Sequence, residues 1–128
     1  MILGIKTSDL VAELVLYDET EIARDDWQTN RDMARGLLER IELLLEKNNA
    51  SWNQLSGLIV YKGPGSFTSL RIGLTTANSI VYSLAIPIVG SSGDDWITDG
   101  IVRLRNNEND TSVFPEYGAE PRITSPRK

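Results

Sequence analysis

The residues best placed to do chemistry are a turn and the helix start that follows it. Gly63-Pro64-Gly65-Ser66 comes after a short apolar run and before a long helix-like pattern. Backbone N–H groups at such a junction, together with the helix dipole, can cradle an anion. The lysine-bearing phosphate loop needs four residues between its glycines and then Gly-Lys-Ser/Thr, and no lysine follows here. The plainer reading is a tight strand-to-helix turn capped by Ser66. Other reactive groups are scattered. Arg71 lies off the apolar stripe of the helix, where a partner contact or an internal salt bridge would both use it. Asp94, Asp95 and Asp99 stand near Trp96, as helix caps do more often than metal ligands, and Glu116 and Glu120 have no visible companion. Without cysteine or histidine, thiol nucleophiles, histidine bases, disulfides and the usual zinc sites are excluded. Neither a metal nor a cofactor is expected.

The elements that position these groups follow from periodicity. Residues 58–61 form an apolar, β-favouring run that Gly63-Pro64-Gly65 stops. Phe67, Leu70, Leu74, Ala77, Val81 and Leu84 then recur at steps of three and four, one stripe of a helix. Pro87 cannot extend it, and residues 86–89 read as a buried strand, which completes a βαβ unit. Upstream, residues 1–7, 11–17 and 22–27 read as three strands whose short connections make them antiparallel neighbours. Thr29 or Asn30 would cap a helix over 31–47 with Met33, Leu37, Leu38, Ile41, Leu44 and Leu45 on its apolar side. Residues 52–55 suggest a short turn, residues 91–99 a short helix, and residues 101–104 a last strand. The expected fold is therefore α/β, a mixed sheet with three antiparallel N-terminal strands and then a βαβ unit, with two main helices.

Length and charge set limits. A chain of 128 residues builds one domain. Its formal net charge of -5, with no basic block, argues against gripping nucleic acid unaided. No charged region precedes an apolar core at the N-terminus and no apolar run approaches membrane-spanning length, so a cytoplasmic protein without membrane contact is expected. The second helix carries Ile72, Gly73, Thr76, Ile80 and Ser83 beside its apolar stripe, and small residues let another backbone come close. The first helix holds more leucines than one seam requires. Helix-to-helix association is the functional reading of this surplus.

The run Gly63-Pro64-Gly65-Ser66-Phe67-Thr68-Ser69-Leu70-Arg71-Ile72-Gly73 closely resembles the GPGSFTGLRIG signature of the TsaB (YeaZ) family, with Ser69 where the family has glycine. Residues 5–8 resemble the family's first-strand IDTS, and residues 115–126 its closing segment. The resemblance implies a ribonuclease-H-like, ASKHA-type lobe without chemistry of its own. It implies a scaffold that pairs with a TsaD-like protein and, through that complex, with a TsaE-like ATPase. That assembly makes threonylcarbamoyladenosine beside the anticodon of tRNA, which this subunit would meet only indirectly. The two helices would form the interface with TsaD or with a second copy, as a homodimer. On this chain that assigns Met33, Leu37, Ile41, Arg71, Ile72, Gly73, Thr76, Ile80 and Ser83 to the interface, and Gly63, Pro64, Gly65, Ser66, Phe67 and Thr68 to the motif loop.

Two departures bear on this reading. Lys6 replaces the aspartate of the strand-one motif, and a lysine cannot ligate a cation. It is expected to be a solvent-exposed side chain at a strand end, and it argues against metal-dependent ATP hydrolysis. Only about twenty residues separate Gly90 from the closing segment, so the family's second lobe is expected to be absent. Residues 1–105 would form the lobe and residues 106–128 an extended C-terminal tail. The alternative is an ASKHA-like phosphotransferase or ATPase using the loop from Gly63 to Ser66. A peptidase, an older label for relatives, lacks a catalytic set in this sequence.

Overall fold

The structure, a computed structural model, describes residues 1–8, 11–28 and 33–115, with the side chains of residues 33–35 left out. The helix cap expected at Thr29 or Asn30, the helix start at 31–32, Glu116, Glu120 and the end of the expected tail lie outside the described residues. Five strands form one sheet in the order β3-β2-β1-β4-β5. β1 (Ile2–Ser8), β2 (Val11–Asp18) and β3 (Thr20–Gln28) make an antiparallel meander. β4 (Gly57–Gly63) joins β1 in parallel, and β5 (Ile88–Ser92) joins β4 in parallel. The mixed sheet read from the strand spacing is thus the sheet observed. Among the described residues no helix is long and apolar enough to cross a membrane.

Alternation explains how the sheet is covered. Leu3, Ile5 and Thr7 of β1 point to one face, with Ala12, Leu14 and Leu16 of β2 and Leu58 and Val60 of β4 in the same rows. α1 (Met33–Lys47) and α2 (Phe67–Leu84) lie on this face and bury Leu37, Ile41, Leu44, Leu45, Leu70, Leu74, Ala77 and Val81 against it. Arg40 fastens α1 to the meander: its Nη1 donates to both Asp25 carboxylate oxygens at 3.0 Å, and its guanidinium lies 4.1 Å from the Trp27 ring centroid.

The other face is covered in part by α3 (Trp96–Arg105), where the structure corrects the reading of residues 101–104 as a strand. Ile101 and Val102 are β-favouring residues, which a strand would use. Yet Trp96, Ile97, Gly100, Ile101 and Leu104 recur at helical spacing and all turn toward the sheet. Gly100 is there because the helix comes so close. A Cβ on it would stand 2.5 Å from Ile59 Cγ2 and 2.8 Å from Ile59 Cγ1. The aromatic ring of Trp96 meets that of Tyr61 edge-on at 6.1 Å.

After α3 the chain turns back along β5. Asp110 N–H donates to the Ile88 carbonyl and its Oδ2 accepts from Gly90 N–H. Arg103 binds both Asp110 oxygens, the Glu108 carboxylate and the Gly90 carbonyl. Burial by itself would raise the Asp110 pKa, but the Arg103 and Gly90 hydrogen bonds outweigh it and hold the carboxyl below its ordinary range.

Two outcomes follow. Gly100→Ala should lower stability by about 1–2 kcal/mol in urea unfolding, since the overpacking cost exceeds the helix-propensity gain. A carboxyl whose folded pKa is depressed stabilises the fold above its unfolded pKa and loses that contribution as pH falls through the folded value. Asp110→Asn should therefore lie below the parent chain in urea midpoint near neutral pH, and the gap should close below pH ~4.

Candidate functional site

The site is built from the start of α2. Gly63 ends β4 at φ 134, a conformation open to glycine, and the Tyr61 hydroxyl donates to the Pro64 carbonyl at 2.6 Å across the turn. Ser66 caps α2, its Oγ accepting from Ser69 N–H at 3.3 Å. Phe67 and Thr68, grouped with the loop on sequence, are the first helical residues. Phe67 was expected in the core stripe but is 53% exposed, because α2 has not yet reached the sheet at its first residue; the Arg71 guanidinium lies 5.3 Å from its ring centroid. One turn further, the helix touches β1. The buried Thr7 hydroxyl donates to the Ser69 carbonyl at 2.6 Å and accepts from Gly73 N–H at 3.2 Å, and a Cβ on Gly73 would collide with Thr7 Oγ1. The signature residues thus turn, cap and seat this helix.

With α2 seated, its other flank meets α1. A groove of about 590 Å³ runs between the helices, with Leu38 and Trp52 on one side, Thr75, Thr76, Ser79 and Ser83 on the other, and Ile80 and Leu84 within it. Through Thr75 and Thr76 it continues into a depression of about 300 Å³ lined by Phe67, Thr68, Arg71 and Ile72. Among the described residues lining the strip, Arg71 is the one that carries a charge. The strip is apolar at the bottom and hydroxyl-lined at the rim, and its described residues include no paired acid and base groups.

Of the residues assigned to the interface, Arg71, Ile72, Thr76 and Ser83 come together along this strip, with Ile80 beneath them at 7% exposure. Leu37 and Ile41 do not reach it. Both are wholly buried against the sheet, and Gly73 faces Thr7 on the inner side of α2. The side chain of Met33 lies outside the described residues. Leu38, Ser79, Thr75 and Trp52 were missed. Leu38, half-exposed, sits one residue off the buried Leu37–Ile41–Leu44 stripe, and that offset was the available signal.

Lys6 also departs from expectation. It is half-buried, 3.7 Å from Glu13 Oε2, with its ammonium 4.5 Å from the Tyr61 ring centroid. Glu13 is shared with Arg24, which also binds Glu21 and lowers the pKa of that carboxyl. These groups line a cavity of about 520 Å³ between α3 and the meander, where Asp94 and Asp95 also stand. Asp95 occupies the N-cap position of α3 but makes no side-chain capping bond. Among the described residues no group of three or more Asp or Glu could hold a metal ion.

A meander followed by a βαβ unit, with a helix pair on one face and a third helix on the other, is a ribonuclease-H-like lobe. YeaZ from Pseudomonas aeruginosa shares the fold, with a TM-score of 0.67 at 23% identity over 71% of this chain and 43% of that one. Residues 28–97, more than half of the chain, match the family model described as TsaD: tRNA N6-adenosine threonylcarbamoyltransferase. The tRNA threonylcarbamoyladenosine biosynthesis protein TsaB of Bacillus subtilis is 34% identical over 88 residues, covering 68% of this chain and 38% of that protein. The protein of the same name from Escherichia coli is 25% identical over 91 residues, covering 71% and 39%. The chain belongs to the TsaB (YeaZ) family. It spans about two fifths of the length of these curated relatives.

Burial separates residues that hold the helices from residues that rim the groove. Ile80→Glu should cost about 3 kcal/mol or more by burying an unpaired charge. Ser79→Glu, one residue away and exposed, should stay within about 0.5 kcal/mol in the same thermal or urea unfolding experiment.

Proposed function

We propose that this lobe is a non-catalytic binding subunit in threonylcarbamoyl transfer to tRNA, docking through the α1–α2 groove onto helices of a TsaD-like protein. The observation that carries the reading is the groove itself, an apolar and hydroxyl-lined seat between two helices. Its small side chains at Thr76, Ser79 and Ser83 suit the close approach of another helix. The names of the curated relatives and of the matching family model place similar proteins in one modification pathway.

In this reading the partner supplies the transfer chemistry, a TsaE-like ATPase joins through the complex, and tRNA is held mainly by the partner, since this chain is acidic. The same groove would serve a homodimer when the partner is scarce, and the setting is cytoplasmic. Residues 1–105 are the docking lobe and residues 106–128 its C-terminal tail. An ATPase reading would need the β1 position of Lys6 for a metal, and that side chain is engaged with Glu13 and Tyr61.

Co-expression with a TsaD-like protein should yield a complex on size exclusion, and modification of tRNA by that protein should depend on this chain. Leu38→Glu and Thr76→Arg should abolish co-elution while leaving circular dichroism unchanged. Co-elution that survives both substitutions would place the interface on another surface, and no dependence of modification on this chain would end the reading.

A further inference from the structure

The two edges of the sheet are protected in different ways. β3 carries Glu21, Arg24, Asp25 and Asp26 among its nine residues, and charge on an edge strand discourages pairing with another edge. β5 is Ile88-Val89-Gly90-Ser91-Ser92, with neither charge nor proline. Such an edge is open to strand addition, because the backbone groups on its free side stand in a row awaiting partners. Ile88 and Gly90 turn those groups away from β4, and all four are occupied. Ile88 N–H donates to Asn109 Oδ1 at 3.1 Å and the Ile88 carbonyl accepts from Asp110 N–H at 2.7 Å. Gly90 N–H donates to Asp110 Oδ2 at 2.8 Å, and the Gly90 carbonyl accepts from Arg103 Nη1 at 2.9 Å.

Three of these four bonds come from side chains, so residues 108–113 are not a sixth strand but a set of groups standing in for one. Several features hold the segment in that shape. Asn107 and Thr111 adopt positive φ values of 63 and 68, and Asn109 Oδ1 also accepts from Thr111 N–H. Arg103 ties Glu108 to Asp110. The Val113 side chain lies against Gly90, while the Asn78 amide donates to the Val113 carbonyl and accepts from its N–H.

We propose that residues 108–113 are a guard strap on β5, locked by Arg103 and Asp110, and that the unlocked edge pairs antiparallel with β5 of a second copy of this chain. A second copy is the fitting occupant because a short uncharged strand matches itself about a two-fold axis, closing the pair after two chains. β3 would be a poor mate, since its carboxylates would meet an edge with nothing to answer them. The strap thereby keeps the helix-face assembly from competing with sheet-edge association.

The test uses the full chain carrying Leu38→Glu, so that association through the helix groove is silent, with and without Arg103→Leu plus Asp110→Ala. Mass by light scattering and amide exchange at Ile88 and Gly90 are followed as protein concentration is raised. The strap-intact chain should stay monomeric with both amides protected. The unlocked chain should double its mass with concentration, both amides passing from fast exchange when dilute to slow exchange when concentrated. An unlocked chain that is folded and monomeric throughout, or a dimer whose Ile88 and Gly90 amides still exchange fast, would overturn the proposal. If the double substitution does not fold, Asp110→Asn, which keeps the shape of the side chain and removes its charge, decides by the same two readouts.

Discussion

The contact on which the rest of the lobe depends is that between Thr7 on β1 and the backbone of α2 at Ser69 and Gly73. A hydroxyl buried between strand and helix needs partners, and a hydrogen bond left unmade there would cost about 1–3 kcal/mol. Thr7 finds both a donor and an acceptor on one turn of α2. That is feasible only because Gly73 has no Cβ, so the helix axis lies nearer the sheet than any side chain would allow. The height and rotation of α2 follow from this one point, with the turn at Gly63 and the cap at Ser66 aiming the helix toward it.

Once α2 is seated, the inner face of the sheet has room for one more helix. α1 fills it with Leu37, Ile41, Leu44 and Leu45 and is fastened at its far side by Arg40 on Asp25 and Trp27. Two helices seated on a twisted sheet cannot close fully against each other above it, and the groove at Leu38, Thr76 and Ser79 is the gap that remains. The groove is therefore a by-product of how the core is packed. Mutations at Thr7 or Gly73 would be felt in the groove without touching its lining.

The outer face repeats the device with different chemistry. Gly100 lets α3 settle on Ile59, and the Tyr61 and Trp96 rings close the contact. Beyond α3, among the described residues, the sheet carries its own charged side chains, and Lys6, Glu13, Arg24 and Glu21 pair with one another there. Partly exposed pairs of this kind add little stability. They do pair the charges of this sheet face with one another.

Much was legible in the sequence because it is local. Three short runs with brief connections, the glycine-proline-glycine turn, the Ser66 cap and the three-and-four spacing after it are set by backbone sterics and by the period of each element. The order of elements and the mixed sheet follow from them. What the sequence left open was distance and facing. Residues 101–104 read as a strand, since Ile101 and Val102 are β-favouring and nothing local shows the sheet on which a helix settles at Gly100. Leu37 and Leu38 are the same residue type one step apart, a rotation of about 100° on the helix. Only the seating of α1 decided that the first is core and the second is surface. Lys6 likewise found its partners across the sheet, Glu13 on the next strand and Tyr61 on β4, which adjoins β1 in space and not in the chain. Local periodicity determined which elements form, while the close approach of helices to the sheet decided which of their residues are buried and which line the groove.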